Sequence, residues 1–331
     1  MRVVVDAAIP YIKGVLEPYS EVIYLPAKEI TARVVRDADA LIIRTRTKCN
    51  KELLDGSAVK FIATATIGMD HIDKEYCTKH NIAVHSAPGC NARGVLQWVA
   101  AALHHIATAD KRAPDSYTLG IVGVGNVGSL VSEYARRWGF RVMECDPPRE
   151  AREGGEFYSI EDIAKKCNII TLHTPLDNTT YHLINEKLIR TMQPDAIIIN
   201  ASRGEVVDNR VVAESGHRYI FDVWEGEPSI EPDILQGATL ATPHIAGYSV
   251  QGKANATAMV VNALAHHFDL PLKEWYPESI ERTTPQPISW SELCASISEY
   301  CDIKKESLQL KDSPQDFELI RNGYNYREEY F

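Results

Sequence analysis

Thr118-Leu119-Gly120-Ile121-Val122-Gly123-Val124-Gly125-Asn126-Val127-Gly128 opens a unit that closes with Phe140-Arg141-Val142-Met143-Glu144-Cys145-Asp146. Between the two runs Leu130, Val131, Tyr134, Ala135 and Trp138 recur at helical spacing. The order is therefore apolar strand, glycine turn, helix, apolar strand, acid. In that context Gly123-x-Gly125-x-x-Gly128 reads as a dinucleotide fingerprint rather than an ordinary turn. The glycines permit a tight turn, close approach of backbone to a pyrophosphate, and close packing of helix on strand. The helix N-terminus, from Asn126 and Val127, offers unpaired N–H groups and a partial positive charge to phosphate oxygens. Asp146 lies 18 residues past Gly128, close to the roughly 20 expected of the acid that bonds a ribose 2′-hydroxyl. A carboxylate there repels a 2′-phosphate, so NAD is expected over NADP.

The chain has 331 residues, 45% of them hydrophobic and 24% charged, which fits a globular protein of two or three domains. A formal net charge of −10 argues against general affinity for nucleic acid or an anionic membrane surface. No segment approaches the roughly 18 consecutive apolar residues of a membrane-spanning helix, and an acid at Asp6 comes too early for a signal peptide. The seven cysteines show no C-x-x-C, so neither a disulfide framework nor a metal site is expected. A reduced, cytoplasmic setting is the expectation.

Outward from the fingerprint, residues 1–91 alternate β-rich runs (Val3-Val4-Val5, Val22-Ile23-Tyr24, Leu41-Ile42-Ile43, Phe61-Ile62-Ala63, Ala83-Val84-His85) with stretches long enough for crossover helices. They predict a small parallel α/β domain, in which ligands sit beyond the carboxyl ends of strands. Arg44, Thr45 and Arg46 follow the third run and Thr66 the fourth, a set suited to an anionic group. Ala87-Pro88-Gly89-Cys90-Asn91 breaks the pattern, and Val95, Leu96, Val99, Ala102, Leu103 and Ile106 then predict a helix. Its His104 and His105 are expected to pack or face solvent. Strands with polar ends over 168–176, 196–204, 219–224 and 240–248 continue the alternation, so 92–250 is expected to form one doubly wound domain with Thr174, Arg203, Asp222 and His244 at strand ends on one side. An alanine-rich helix over 251–270 is expected to return to the first domain. Residues 271–331 read as a proline-marked linker and a mixed tail, with a helix over 289–300, too small for a core of its own.

Oxidising an alcohol with NAD needs a base for the hydroxyl proton and a cation for the substrate's carboxylate. His244 suits the first because imidazole titrates near neutral pH. Glu227, in a Gly/Pro turn, can fix its tautomer, and Arg203 offers a planar fork for a carboxylate. Singly, such an arginine is often a plain salt bridge and such a histidine a satisfied core residue. Together, inside a dinucleotide domain, they point to a dehydrogenase.

Gly123-x-Gly125-x-x-Gly128, Asn200-Ala201-Ser202-Arg203-Gly204, Asp222-Val223-Trp224-x-x-Glu227-Pro228 and Thr242-Pro243-His244-Ile245-Ala246-Gly247 resemble the D-isomer-specific 2-hydroxyacid dehydrogenases. The resemblance implies a Rossmann NAD domain, a flavodoxin-like α/β substrate domain and a small α+β dimerisation region, hence a homodimer. It implies Arg203 and Glu227 as active-site residues and His244 as the proton donor. It also implies NAD contacts from Asp146, Thr174, Ala201, Ser202, Asp222 and Gly247, with Asp222 near the nicotinamide amide. Substrate contacts are implied for Thr45, Thr66 and Tyr248, and Arg46 is expected to reinforce binding of a phosphate. Finer motifs, among them Ala63-Thr64-Ala65-Thr66-x-Gly68-x-Asp70-His71 and Cys145-Asp146-Pro147-Pro148, imply a phosphorylated 2-hydroxy acid, 4-phospho-D-erythronate, oxidised in vitamin B6 biosynthesis. The similarity runs to about residue 270 and weakly resumes near Phe317–Tyr330. Thr45 stands where serine is expected and Ser202 where cysteine is expected; both leave the chemistry intact. Another acid, such as 3-phosphoglycerate or glycerate, and an NAD-sensing protein of the same fold are the alternatives.

Overall fold

In the computed structural model, which describes residues 1–331, five strands begin the chain: β1 (Arg2–Asp6), β2 (Glu21–Leu25), β3 (Ala40–Ile43), β4 (Phe61–Thr64) and β5 (Ala83–His85). They pair in parallel in the order β2-β1-β3-β4-β5, the flavodoxin-like arrangement. Alternation decides which residues go to which face. Val4, Leu41, Ile43 and Ile62 pack against Val35, Leu53, Leu54 and Cys77. Val3, Val5, Ile42, Phe61 and Ala63 face Val260, Val261 and Leu264 of the helix Val250–Phe268. Each fully buried Val, Ile or Leu contributes roughly 1.5–3 kcal/mol, and because both faces are covered the strands read as unbroken apolar runs. Residues 7–20, expected to hold a crossover helix, form turns instead. Pro10 and Pro18 flank Gly14, which sits at φ 85°, and prolines remove helical donors. Met1–Asn91 and Val250–Thr283 form one compact unit, so residues 271–283 fall with it, and Leu272 and Trp275 pack on its second face.

The second unit comprises Ala92–Ser249 and Thr284–Phe331. Its strands are β6 (Thr118–Val122), β7 (Arg141–Cys145), β8 (Ile169–Leu172), β9 (Ile197–Asn200), β10 (Arg218–Phe221) and β11 (Leu240–Ala241). All are parallel, in the order β11-β10-β9-β8-β6-β7. The chain goes one way from β6 to β7 and the other way from β8 onward. This places the loops after β6 and β8 at the switch point where such sheets bind ligands. Outside β7, Tyr158 N–H donates to Glu144 O at 2.8 Å. Gly154 and Gly155, both at positive φ, precede this contact. β10 stops at Phe221 and β11 is two residues long, shorter than their apolar runs, so Asp222–Trp224 and Thr242–Tyr248 are loops at strand ends.

The helix Ala92–Asp110 is buried on nearly every side over its first four turns. Its Trp98 is fully buried and donates its indole N–H to Thr242 Oγ1 at 3.1 Å. His104 and His105 lie half-buried near its far end, and burial lowers both imidazoles. The expected α+β tail is helical: Trp290–Tyr300, Ile303–Asp312 and Phe317–Asn322, with one β-bridge between Ser249 and Arg327. Ser289 starts the first of these helices through a reciprocal capping box with Glu292. Leu293, Ile297, Cys301, Ile303 and Phe331 join the core around Trp98, while Leu310 and Phe317 join the core on the other face of the sheet. The tail has no core of its own because it completes both cores of this unit.

Candidate active site

The glycine turn follows β6, and its three glycines have separate reasons. Gly123 has φ 85°, and a Cβ there would lie 2.8 Å from the His173 backbone. At Gly128 a Cβ would meet Gly123 O at 1.9 Å, so only glycine lets the helix approach the turn. Gly125 faces open space and begins the helix Asn126–Trp138 without a side-chain cap. Its first-turn N–H groups are left for an external acceptor, and the missing Cβ leaves room for one. Asp146, just past β7, accepts from Val124 N at 2.7 Å and Arg149 N at 2.9 Å. A carboxylate has acceptor capacity beyond those two, so it still suits a ribose hydroxyl. An uncapped helix start, an open glycine and an acid at the second strand end fit a dinucleotide. Thr174, after β8, keeps a buried hydroxyl with no partner, a polar atom turned toward the same switch point. Beside it His173 is half-buried with its Nδ1 out of solvent, and burial drives its imidazole down to about 3, so it stays neutral.

His244 and Glu227 come together as the sequence anticipates: Nδ1 and Oε1 are 2.5 Å apart. Burial pushes the Glu227 carboxyl up, but the hydrogen bond and charge of His244, then Arg321 and the Trp224 N–H, outweigh it and hold it below the ordinary range. His244 adopts φ 58°, a left-handed conformation that costs a non-glycine residue on the order of 1–3 kcal/mol unless its surroundings hold it. They do. His244 N donates to Asp222 O at 2.7 Å. The Asp222 carboxylate accepts from Thr242 Oγ1 (2.6 Å), Ile245 N (2.8 Å) and Ala246 N (2.9 Å). Asp222, expected as a cofactor contact, is thus buried with three donors of the His244 loop on its carboxylate. Gly247 and Tyr248 continue the loop, half-buried.

Arg203 follows β9 and donates Nη1 to Ser202 O at 2.8 Å. Buried Asn200 shapes this turn by donating to Arg203 O (2.9 Å) and accepting from Ser202 N (3.0 Å) and Ser202 Oγ (2.8 Å). The Ser202 hydroxyl therefore faces its own turn, and Ala201 packs against the core. Gly204 lets the turn meet the Trp224 loop, where a Cβ would lie 2.1 Å from the Trp224 carbonyl carbon.

In the first unit Arg44, Thr45 and Arg46 follow β3 and Thr66 follows β4, at carboxyl ends as anticipated. Arg44 is committed to fully buried Asp6, donating Nε to Oδ2 at 3.0 Å. Thr45 and Arg46 are exposed. Thr66 Oγ1 lies 2.6 Å from Thr64 Oγ1. Arg46 lines a shallow pocket with Thr47, Lys48 and Asn50, and the Thr47 hydroxyl is buried without a partner.

Sequence reasoning missed two arginines of the tail. Arg321 donates Nε to Tyr248 OH at 3.2 Å and adds its charge to the field at Glu227. Arg327 is buried and donates to Gly94 O (2.7 Å), Ile245 O (3.2 Å), Ala246 O and Tyr324 OH (3.1 Å). The one signal for them was the similarity that resumes near Phe317.

Residues 97–246 match the family model of the D-isomer specific 2-hydroxyacid dehydrogenase NAD binding domain. The chain is similar to the erythronate-4-phosphate dehydrogenase of Bacteroides thetaiotaomicron, 43% identical over 99% of this chain and 97% of that one. It is also similar to that of Pseudomonas putida, at 36% over 99% and 93%. Among solved structures it resembles NAD+-bound 3-phosphoglycerate dehydrogenase of Entamoeba histolytica, with TM-score 0.68, 27% identity, and coverage of 86% of this chain and 99% of that one. The D-lactate dehydrogenase of Aquifex aeolicus shares the fold at TM-score 0.68, 24% identity, 83% and 97% coverage. With a turn built for a dinucleotide and relatives matched over nearly their whole length, the chain belongs to the erythronate-4-phosphate dehydrogenase family, a branch of the D-isomer-specific 2-hydroxyacid dehydrogenases.

Proposed function

We propose that the protein is an NAD-dependent dehydrogenase that oxidises 4-phospho-D-erythronate to 2-oxo-3-hydroxy-4-phosphobutanoate, a step of vitamin B6 synthesis. The observation that carries the chemistry is the 2.5 Å contact between His244 Nδ1 and Glu227 Oε1 in an NAD-binding unit; the substrate's identity rests on the 43% identical relative. With Nδ1–H given to Glu227, His244 Nε2 keeps its lone pair and takes the C2 hydroxyl proton. Glu227 stabilises the imidazolium that results. Arg203 holds the substrate carboxylate in a planar fork. NAD, when bound, accepts the hydride that leaves C2, so the substrate loses one hydride and one proton. Gly123, Gly125, Asn126, Val127 and Gly128 hold its pyrophosphate, Asp146 its ribose, and Thr174, Ala201, Ser202 and Gly247 line its path, with Asp222 fixing the loop behind them. The first unit is the substrate domain: Thr45, Thr66 and Arg46 serve the phosphorylated end, Tyr248 adds a hydroxyl, and Arg44 braces the loop from Asp6.

No helix is long and apolar enough to cross a membrane. A homodimer in the cytoplasm belongs to the same reading. Leu308 and Leu319, on two tail helices and 64% and 72% exposed, supply apolar surface for the contact, which light scattering tests. For the activity, purified protein is given NAD and 4-phospho-D-erythronate, with and without a 2-oxoacid acceptor, while NADH is followed by absorbance. Turnover abolished in His244→Ala supports the reading. Preference for 3-phosphoglycerate or glycerate overturns the substrate, and NAD binding with no turnover on any acid overturns the enzyme.

A further inference from the structure

The two residues that follow His244 are gripped from both sides. Asp222 takes the N–H groups of Ile245 and Ala246, and Arg327 donates to the carbonyls of the same two residues. Arg327 reaches them from the C-terminal segment, 82 residues away in sequence, docked beside the loop by the bridge to Ser249. Its other Nη2 bond goes to Gly94 O in the helix Ala92–Asp110, which ties the loop to the most buried helix of the unit. Ser249, immediately past the loop, gives its hydroxyl to Glu329 at 2.6 Å, and Arg93 Nη1 lies 3.5 Å from the same carboxylate. The segment around 327–329 is therefore a second frame for the His244 loop.

Resting on the catalytic role proposed for His244, we infer that Arg327 is a positioning residue for that histidine, locking the Ile245 and Ala246 peptides so that His244 keeps its left-handed backbone and its aim. A guanidinium is suited to this because its fork serves several carbonyls in one plane. The bonds of Arg327 go to three carbonyls and a phenol, and two of those carbonyls belong to the His244 loop. Backbone carbonyls that accept from a rigid donor cannot rotate, and a histidine at φ 58° relaxes toward an ordinary conformation once its neighbours can turn. A small misplacement of a base costs far more rate than affinity.

The test compares the full chain with Arg327→Lys, which keeps the charge but shortens the reach, and Arg327→Met. Amide hydrogen exchange is followed at Ile245 and Ala246, with Ile198 and Ile199 of β9 as internal reference, beside kcat, KM and the Kd for NAD. Expected are exchange at Ile245 and Ala246 faster by roughly tenfold or more with β9 unchanged, kcat lower by about tenfold or more, and NAD affinity within about twofold. Lys should restore part of what Met loses. Unchanged exchange at the two amides, or acceleration spread equally over β9, overturns the inference. Should Met prevent folding, the exchange and kinetics of the Lys variant support or overturn it in the same way. An inactive parent would count against the proposed reaction alone, since the exchange result stands without substrate.

Discussion

His244 Nδ1 and Glu227 Oε1 lie 2.5 Å apart, and the carboxyl is held below its ordinary range despite its burial. Because Glu227 is lowered in the fold, the stability it contributes is present above the ordinary carboxyl value and is lost as pH falls through the lowered one. Around neutral pH the pair is intact. Glu227→Gln replaces a pure acceptor by a group that both donates and accepts, so the tautomer of His244 is no longer fixed. Steady-state kinetics should show kcat reduced by roughly a hundredfold or more with the Kd for NAD unchanged; loss of NAD binding instead would assign Glu227 to the cofactor.

Arg203→Lys keeps the charge and removes the fork. A bidentate charged pair reduced to a point charge should cost about 2–3 kcal/mol, read as a rise in KM for the acid of roughly 30- to 150-fold. Equal KM in parent and variant would show that the carboxylate is held elsewhere.

Gly128→Ala brings a methyl to 1.9 Å from Gly123 O. Backbone must move, so thermal unfolding should report a loss of about 1–3 kcal/mol, and titration with NAD should show weakened binding. Gly125→Ala, where a Cβ meets nothing, should keep stability and lose NAD affinity alone. Equal effects at both positions would contradict the division between packing glycine and approach glycine.

Burial lifts the Glu306 carboxyl to about 7, against the opposing pull of Arg327 and Tyr324, and its Oε2 is buried with no partner. The unfolded chain releases this proton near 4.5. Stability is therefore full below 4.5, falls as pH rises from there to about 7, and above that carries a fixed deficit of roughly 3 kcal/mol. Glu306→Gln should remove that slope, so its melting temperature should gain on the parent through this window and hold the gain above it. Parallel melting curves from pH 4 to 8 (on the order of five points, enough to define one titration) check it; equal slopes would refute it.

Most of the fold is legible because it is written locally. The fingerprint states its own strand, turn, helix and strand, and the apolar runs of β1, β3 and β4 announce a sheet covered on both faces. The contact between Glu227 and His244 is legible because each lies in a loop that follows a strand. What escaped depends on partners distant in sequence. Arg44 resembles a free cation until Asp6, 38 residues earlier, claims it. Asp222 reads as a cofactor contact in the sequence, and the three donors of residues 242–246 on its carboxylate are seen only in the fold. Arg321 and Arg327 lie in a tail whose short helices have little pattern of their own, and their targets are fixed only when that tail docks. The missing helix over 7–20 is a local matter: two prolines and a glycine outweigh the length available.

Arg93 donates Nε to Phe331 O at 2.9 Å across 238 residues of chain, and the first unit likewise waits for residues 250–283. On the ribosome, then, neither unit can close as it emerges. The dinucleotide turn is made early, but the frame of the His244 loop exists only after residues 327–329 have left the exit tunnel. Such distant pairings are slow to form, and until then apolar strands stand uncovered. A cut that removes residues 327–331 should therefore leave the second unit unfinished rather than merely trimmed.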